Sequence, residues 1–183
     1  SCNVSVNYGK VGLYRKTVDS SAHSKKICLE NIQFVILGTG EAEYESFFRE
    51  LEGKYSNVKA LIKFDRALSK RMYASADIFL MPSKSEPCGL SQMISLRYGT
   101  IPIVRETGGL RDSIKDSGDN EGNGFTFSTY NAHDMLYTIR RAIEGYSNAE
   151  GWNILVKRAM ECDNSWGKSA NDYIKMYKEV LKD

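Results

Sequence analysis

The stretch IQFVILGTG at positions 32–40 decides the fold class of this chain. A continuous apolar run that stops at glycine is typical of a strand buried on both faces of a parallel sheet. Similar runs recur at 58–64, 78–81, 101–104 and 124–127, and residues with helical spacing fill the intervals. This alternation implies right-handed crossovers, so the sequence predicts an α/β fold with a doubly wound parallel sheet in a single Rossmann-like domain.

The two ends of the chain carry weaker signals. Val4, Val6 and Tyr8 alternate with polar residues and predict one strand, whereas 14–30 favours an irregular or poorly formed helix. Helical spacing returns at 131–145, 150–161 and 166–182. Six aromatic residues lie in or beside these helices, and we expect them in the core and not as a stacking platform for nucleic acid: Tyr137, Tyr146, Trp152, Trp166, Tyr173 and Tyr177.

The composition excludes several classes of function. The 25 basic and 23 acidic residues leave a net charge of +2, which argues against binding to nucleic acid or an anionic membrane. The four cysteines are scattered and the two histidines are far apart, so neither a disulfide scaffold nor a metal site is expected. No apolar run has the length of a membrane span, and no secretory leader is visible. We therefore expect a cytoplasmic protein, or a plastid one if the source is a plant.

Glycines follow three of the predicted strands, in the loops 38–41, 83–89 and 105–109. Doubly wound sheets bind their ligands beyond the carboxyl ends of the strands, where these loops lie. Gly89 permits close approach of the backbone to a ligand, and N–H groups at the start of the next helix suit phosphate oxygens. Glu86 precedes a proline, which favours an extended backbone that aims its carboxylate across the loop.

Each motif also has an ordinary structural interpretation. By itself, E-P-x-G favours a helix-capping loop with a solvated glutamate, and T-G-G-L at 107–110 is more often a simple turn than an anion-binding nest. The G-T-G at 38–40 lacks the third glycine of a dinucleotide fingerprint. Cys88 lies near a predicted helix start without a histidine beside it in sequence, so we interpret it as a packing residue and not a nucleophile.

Taken together, these motifs match a known family. Residues 77–112, with Ala76 before them, closely resemble bacterial glycogen synthases and plant starch synthases, because E-P-C-G-L, R-Y-G-T-I-P and T-G-G-L-R-D occur at the family's spacing. A weaker resemblance extends from about Asn31 to the C-terminus and includes G-F-T-F, N-A-H-D at 131–134 and D-N-S-W at 163–166.

The resemblance implies a retaining glycosyltransferase with two Rossmann-like domains facing a cleft. Such enzymes transfer glucose from ADP-glucose to the nonreducing end of an α-1,4-glucan, with no metal or cofactor implied. The whole chain, 1–183, resembles the C-terminal, donor-nucleotide domain. The expected partners are ADP-glucose or ADP, the glucan acceptor and the family's N-terminal half, towards which the helix at 166–182 would cross. We expect this domain alone to be inactive.

The resemblance also assigns roles by position. Glu86 matches the catalytic-site glutamate that faces the donor glucose, and Phe64 matches an aromatic residue near the adenine, although it could instead be a core residue closing its strand. Ile94 stands eight positions after Glu86, where related transferases carry a second glutamate, a departure that glycogen and starch synthases share. The residues matched to the sugar, the diphosphate and the cleft wall are Pro87, Cys88, Gly89, Leu90, Thr107, Gly108 and Gly109.

The first thirty residues, 1–30, diverge from the family pattern. Lys10 is the nearest match to the family's phosphate-binding lysine, but Ser5 falls where the corresponding arginine would be. Other functions therefore remain open at this point: a retaining glycosyltransferase that uses a UDP-sugar, a noncatalytic nucleotide- or glucan-binding module, or a structural fragment.

Overall fold

The computed structural model describes the backbone of residues 2–7 and the atoms of residues 30–181. Six parallel strands form one sheet in the order β3-β2-β1-β4-β5-β6. Their bounds are β1 Cys2–Asn7, β2 Ile32–Gly38, β3 Val58–Ile62, β4 Ile78–Met81, β5 Ile101–Arg105 and β6 Phe125–Phe127. This order confirms the predicted doubly wound Rossmann-like fold.

Helices connect the strands and cover the sheet. They are α1 Ala42–Lys54, α2 Arg66–Ser75, α3 Ser91–Arg97, α4 Gly109–Ser113, α5 Ala132–Ser147, α6 Ala149–Glu161 and α7 Trp166–Val180, with a 3₁₀ turn at Ser117–Asp119. Side-chain caps define several of their starts. Asp65 accepts a hydrogen bond from the Leu68 N–H at 2.9 Å, and Asn131 does so from the Asp134 N–H at 2.9 Å.

Strands β4 and β5 are buried on both faces, as their unbroken apolar runs predicted, whereas the similar run of β2 has Gln33 exposed on one face. Every residue of β4 is buried, and Ile101, Ile103 and Val104 of β5 are fully buried. Such strands hold a parallel sheet in place because both of their faces lie against covering elements. The core of the described residues is therefore centred on β4 and β5, directly beneath the loops that follow them.

The strand order also locates the topological switch point. β1 pairs with β2 on one side and with β4 on the other, so the winding direction reverses between β1 and β4. Ligands of such sheets bind in the crevice outside the carboxyl ends of the strands at this point. The 82–90 loop follows β4 there. Lys10, the irregular helix predicted at 14–30 and most of the divergent segment 1–30 lie outside the described residues.

The prediction that all six helical aromatics are core residues was wrong for four of them. Trp152 is buried and stacks on Phe125 with 6.4 Å between ring centroids, and Tyr146 packs against the core. In contrast, the side chains of Tyr137, Trp166, Tyr173 and Tyr177 are exposed. Three of these belong to α7, which contributes no buried residue. Periodicity predicted the helix correctly but could not say what would cover it. None of the described helices is long and apolar enough to cross a membrane.

Candidate functional site

The 82–90 loop connects β4 to α3 at the switch point, and its carbonyl groups are held from the protein side. At its beginning, Arg105 donates from Nε to the Ser83 carbonyl at 2.9 Å and from Nη2 to the Lys84 carbonyl at 2.5 Å. Arg105 is the last residue of β5, and its guanidinium lies 5.6 Å from the centroid of the Tyr130 ring. The neighbouring strand thereby fixes the first half of the loop.

In its middle, the loop rests on the T-G-G-L segment. The Gly109 N–H donates to the carbonyls of Glu86 and Pro87 at 3.1 and 3.2 Å. A Cβ at Gly108 would overlap the Glu86 carbonyl, and one at Gly109 would overlap the backbone of Cys88. Glycine is thus needed at both positions because two backbones touch, and the Gly109 N–H is engaged within the protein.

At its end, the loop is held by Gln92, a residue that the sequence analysis missed. Gln92 is fully buried, and its Nε2 donates to the carbonyls of Cys88 at 3.1 Å and Gly89 at 2.8 Å. The available signal was a glutamine three residues after a glycine at a helix start, a spacing that favours side-chain to backbone bonds. The spacing alone does not show that Gln92 holds the loop; this role depends on the fold, which brings its side chain beneath the loop carbonyls.

These inward carbonyls determine where the N–H groups point. The described chain has no cis peptide bond, and in a trans peptide the C=O and the following N–H point in opposite directions. The N–H groups of Cys88, Gly89 and Leu90 therefore point away from the donors that hold the carbonyls before them. We call these three groups the N–H row. Successive N–H groups facing one way form a favourable site for an anion.

Two of the three residues of the N–H row, Cys88 and Leu90, are exposed, whereas Gly89 between them is buried. Leu90, the N-cap residue of α3, makes no side-chain cap hydrogen bond. Gly89 has φ 75°, a conformation that side chains rarely tolerate, and a Cβ there would meet Gln92 Oε1 at 2.5 Å. Glu86 is 9% exposed, whereas Cys88 is exposed.

The 38–41 loop is arranged in the opposite way. The Gly40 N–H donates to Oε1 of Glu45 at 3.1 Å, so a side chain of α1 occupies the position that an anion would take. Of the three loops selected from the sequence, this one is capped by its own helix.

Phe64 lies two residues beyond the end of β3 and is 88% exposed. The alternative that it closes the strand as a core residue is therefore wrong. Its neighbour Asp65 caps α2, and hydrogen bonds from the Leu68 N–H and from Lys63 hold the pKa of Asp65 below its usual range. Phe64 projects from the same edge of the sheet as the 82–90 loop, which keeps it a candidate contact for a base.

The described part of the chain offers no group of side chains suited to hold a metal ion, at this edge or away from it. There, His, Cys, Asp and Glu side chains form no cluster of three or more that could hold a metal ion. Thr107 is partly buried, and its carbonyl accepts the Leu110 N–H at 3.1 Å, which closes the turn before α4. Thr107 and Gly108 remain predicted contacts along the wall of the cleft.

Comparison with known proteins agrees with this geometry. Residues 13–158 match the family described as glycosyl transferases group 1. The chain belongs to this family. A glycogen synthase of Bacillus cereus is 53% identical over 161 residues, which are 86% of this chain and 34% of that protein. One of Clostridium botulinum is 51% identical over 170 residues, or 91% of this chain and 36% of that protein.

A solved structure extends the likeness to the whole fold. The catalytic domain of starch synthase IV from Arabidopsis thaliana, bound to ADP and acarbose, is 34% identical with a TM-score of 0.81 and covers 100% of this chain and 39% of its own. This confirms the resemblance to glycogen and starch synthases. The chain spans about a third of the length of the curated relatives cited here.

Proposed function

We propose that this chain is the donor-nucleotide domain of a glycogen or starch synthase that transfers glucose from ADP-glucose to the nonreducing end of an α-1,4-glucan. The observation that carries the proposal is the N–H row of the 82–90 loop at the switch point of the sheet. Its support comes from the group 1 family, from relatives named glycogen synthase and from an Arabidopsis enzyme solved with ADP.

The N–H row suits the departing group of such a reaction. When the bond between the glucose C1 and the diphosphate oxygen breaks, negative charge develops on the diphosphate. N–H groups already aimed at that charge stabilise it without reorganisation, which lowers the barrier. Pro87, Cys88, Gly89 and Leu90 supply this segment in our proposal, and Lys10, which follows β1 in the sequence, adds a positive charge.

Glu86 has a different role. An ionised carboxylate only accepts hydrogen bonds, so it suits sugar hydroxyls and repels phosphates. The Glu86 carbonyl is held by Gly109, which fixes the backbone from which this carboxylate projects. We assign Glu86 to the donor glucose, and Thr107, Gly108 and Gly109 to the wall that holds its loop in place.

α7 supplies the contact with the rest of the enzyme in this proposal. Its exposed apolar residues are Trp166, Tyr173, Ile174, Met176, Tyr177 and Val180. A contiguous apolar helix face of this kind marks a protein interface. We propose that it packs against the N-terminal half of the complete enzyme.

Titration calorimetry of the 183-residue chain with ADP, UDP, ADP-glucose and UDP-glucose tests the nucleotide assignment. We expect ADP and ADP-glucose to bind more tightly than the uridine compounds. A preference for uridine would favour the UDP-sugar transferase instead, and absence of binding by any of the four would contradict the proposal.

Two variants in a complete two-domain enzyme separate the sugar from the diphosphate. Glu86→Gln should lower turnover strongly and leave ADP affinity nearly unchanged, whereas Gly89→Val should weaken ADP binding itself. If Glu86 serves only its own loop, Glu86→Gln will lower the melting temperature and spare turnover. If the complete enzyme binds ADP but transfers no labelled glucose to glycogen, the noncatalytic module is the correct alternative.

A further inference from the structure

We infer that Gln92 is a positioning residue that sets the direction of the N–H row. The inference rests on the proposed function, because it assigns Gln92 to the diphosphate site of that function. Gln92 itself is fully buried and faces the carbonyl side of the loop. It therefore acts through the loop and not by touching a ligand.

A continuous chain of hydrogen bonds carries the inference. Gln92 Nε2 also lies 3.1 Å from the hydroxyl of Ser113, which donates to the Gly109 carbonyl at 2.6 Å. The Gly109 N–H in turn holds the carbonyls of Glu86 and Pro87. One side-chain amide thereby joins both ends of this network, from the loop after β4 to the helix after β5.

The amide orientation follows from its surroundings. Cys88 and Gly89 present carbonyl oxygens to the atom that faces the loop, and only the nitrogen of the amide donates hydrogen bonds. With the amide reversed, Oε1 would face those oxygens. Among the described residues none donates to Oε1 where it now lies. Gln92 thus holds the loop through the hydrogen bonds that its Nε2 donates to the carbonyls of Cys88 and Gly89.

Removing the hydrogen bonds from Gln92 should allow the peptide groups that follow Cys88 and Gly89 to rotate. Without a donor beneath them, the carbonyls of Cys88 and Gly89 can turn outward to water, and each N–H joined to them then turns inward. The N–H row would lose its common direction although the fold and the volume of the core were preserved.

The test compares Gln92→Met, which keeps the size of the side chain and removes its donors, with Ser95→Ala. Ser95 is fully buried on the same helix, and its hydroxyl donates to the Gln92 backbone carbonyl at 2.8 Å. Amide hydrogen exchange at Gly109, measured relative to the β5 amides, reports the network without any ligand. Calorimetry with ADP reports the site.

We expect Gln92→Met to speed Gly109 exchange and to weaken ADP binding, each about tenfold, and Ser95→Ala to change neither. If Gln92→Met does not fold, Ser113→Ala should change both readouts in the same direction by a smaller factor. Unchanged exchange in the folded variant overturns the inference. Faster exchange with unchanged ADP affinity overturns it as well, because Gln92 would then be only structural.

If the proposed function is wrong, the result differs from the one that overturns the inference about Gln92. In that case the wild-type chain itself binds no ADP, and the link between Gln92 and a diphosphate site falls with it. The exchange measurement still decides whether Gln92 holds the loop.

Discussion

Two glycine loops at the same edge of the sheet differ in which half of the peptide group the protein uses. In the 38–41 loop, the Glu45 carboxylate takes up the Gly40 N–H. In the 82–90 loop, donors from Arg105, Gly109 and Gln92 take up the carbonyls instead. The first arrangement completes a helix start, and the second leaves N–H groups for a ligand. Glycine content therefore does not distinguish the two loops, whereas the bonding of their carbonyl groups does.

The largest expected effect on stability comes from separating the backbone of the 82–90 loop from that of the T-G-G-L segment. Gly109→Ala places a Cβ against the Cys88 backbone. Overpacking of this kind should lower the free energy of unfolding by about 3 kcal/mol, or roughly 10 °C in melting temperature. Gly53→Ala on α1 is the matched control, because a Cβ there would meet nothing within 4 Å apart from its chain neighbours and the backbone of its own helix. It should stabilise the chain by about 0.5–1 kcal/mol. Equal melting temperatures for Gly109→Ala and Gly53→Ala would mean that the 82–90 loop and the T-G-G-L segment are not in contact.

A second substitution should change stability without changing either loop. Asp116 pairs with Arg141 at 2.6 Å and accepts the Thr126 N–H at 2.8 Å. Burial works to raise the pKa of Asp116, but hydrogen bonds from Arg141, Thr126 and Gly118 outweigh it and hold this pKa below the ordinary value of 3.8. Asp116→Asn should cost about 2 kcal/mol of unfolding free energy at pH 7.

The pH dependence of that difference follows from the direction of the shift. A lowered pKa in the folded state contributes stability above pH 3.8, and the contribution is lost as the pH falls below it. Denaturant unfolding at pH 7 and pH 3 should therefore show the gap between wild type and Asp116→Asn shrinking in acid, with ADP affinity at pH 7 unchanged. A gap that grows in acid would contradict the pairing.

Phe64 offers a prediction on binding alone. Because its side chain is 88% exposed, Phe64→Ala should leave the melting temperature unchanged. If the ring stacks on adenine, the substitution should weaken ADP binding by about 1–3 kcal/mol. Phe64→Tyr keeps an aromatic face and should bind as wild type does. Unchanged ADP affinity in Phe64→Ala would remove this residue from the site.

The smallest effect belongs to the capped loop. Glu45→Ala removes the acceptor of the Gly40 N–H and should cost about 0.5–1 kcal/mol of unfolding free energy. ADP affinity should not change, since this loop has no part in the diphosphate site that we propose. Weaker ADP binding in Glu45→Ala would contradict the proposal that only the 82–90 loop, and not the 38–41 loop, contacts ADP.

The sequence was sufficient for the elements that local pattern controls. Apolar runs predicted β4 and β5 because these strands are buried on both faces, and a similar run predicted β2 although Gln33 is exposed on one of its faces. Helical spacing in the intervals likewise predicted the connecting helices, among them α2. The same reasoning selected Glu86 and Gly89, since chemistry at the carboxyl edge of such a sheet has few possible locations.

Features that depend on distant parts of the chain were not predictable in this way. Gln92 and Ser113 are 21 residues apart, and no local period links them. The strand predicted at 58–64 ends at Ile62, so the exposure of Phe64 depended on a boundary that hydrophobicity alone does not locate. The apolar face of α7 followed the expected helical period, but burial requires an opposing surface, which the period does not supply.

Backbone amide NMR during an ADP titration of the 183-residue chain tests the central claim most directly. The account predicts that the amides of Cys88, Gly89 and Leu90 shift most among residues 30–181, and that the amides of Gly40 and Gly109 shift little because protein atoms already hold them. Shifts concentrated at Gly40, with the N–H row unmoved, would contradict it.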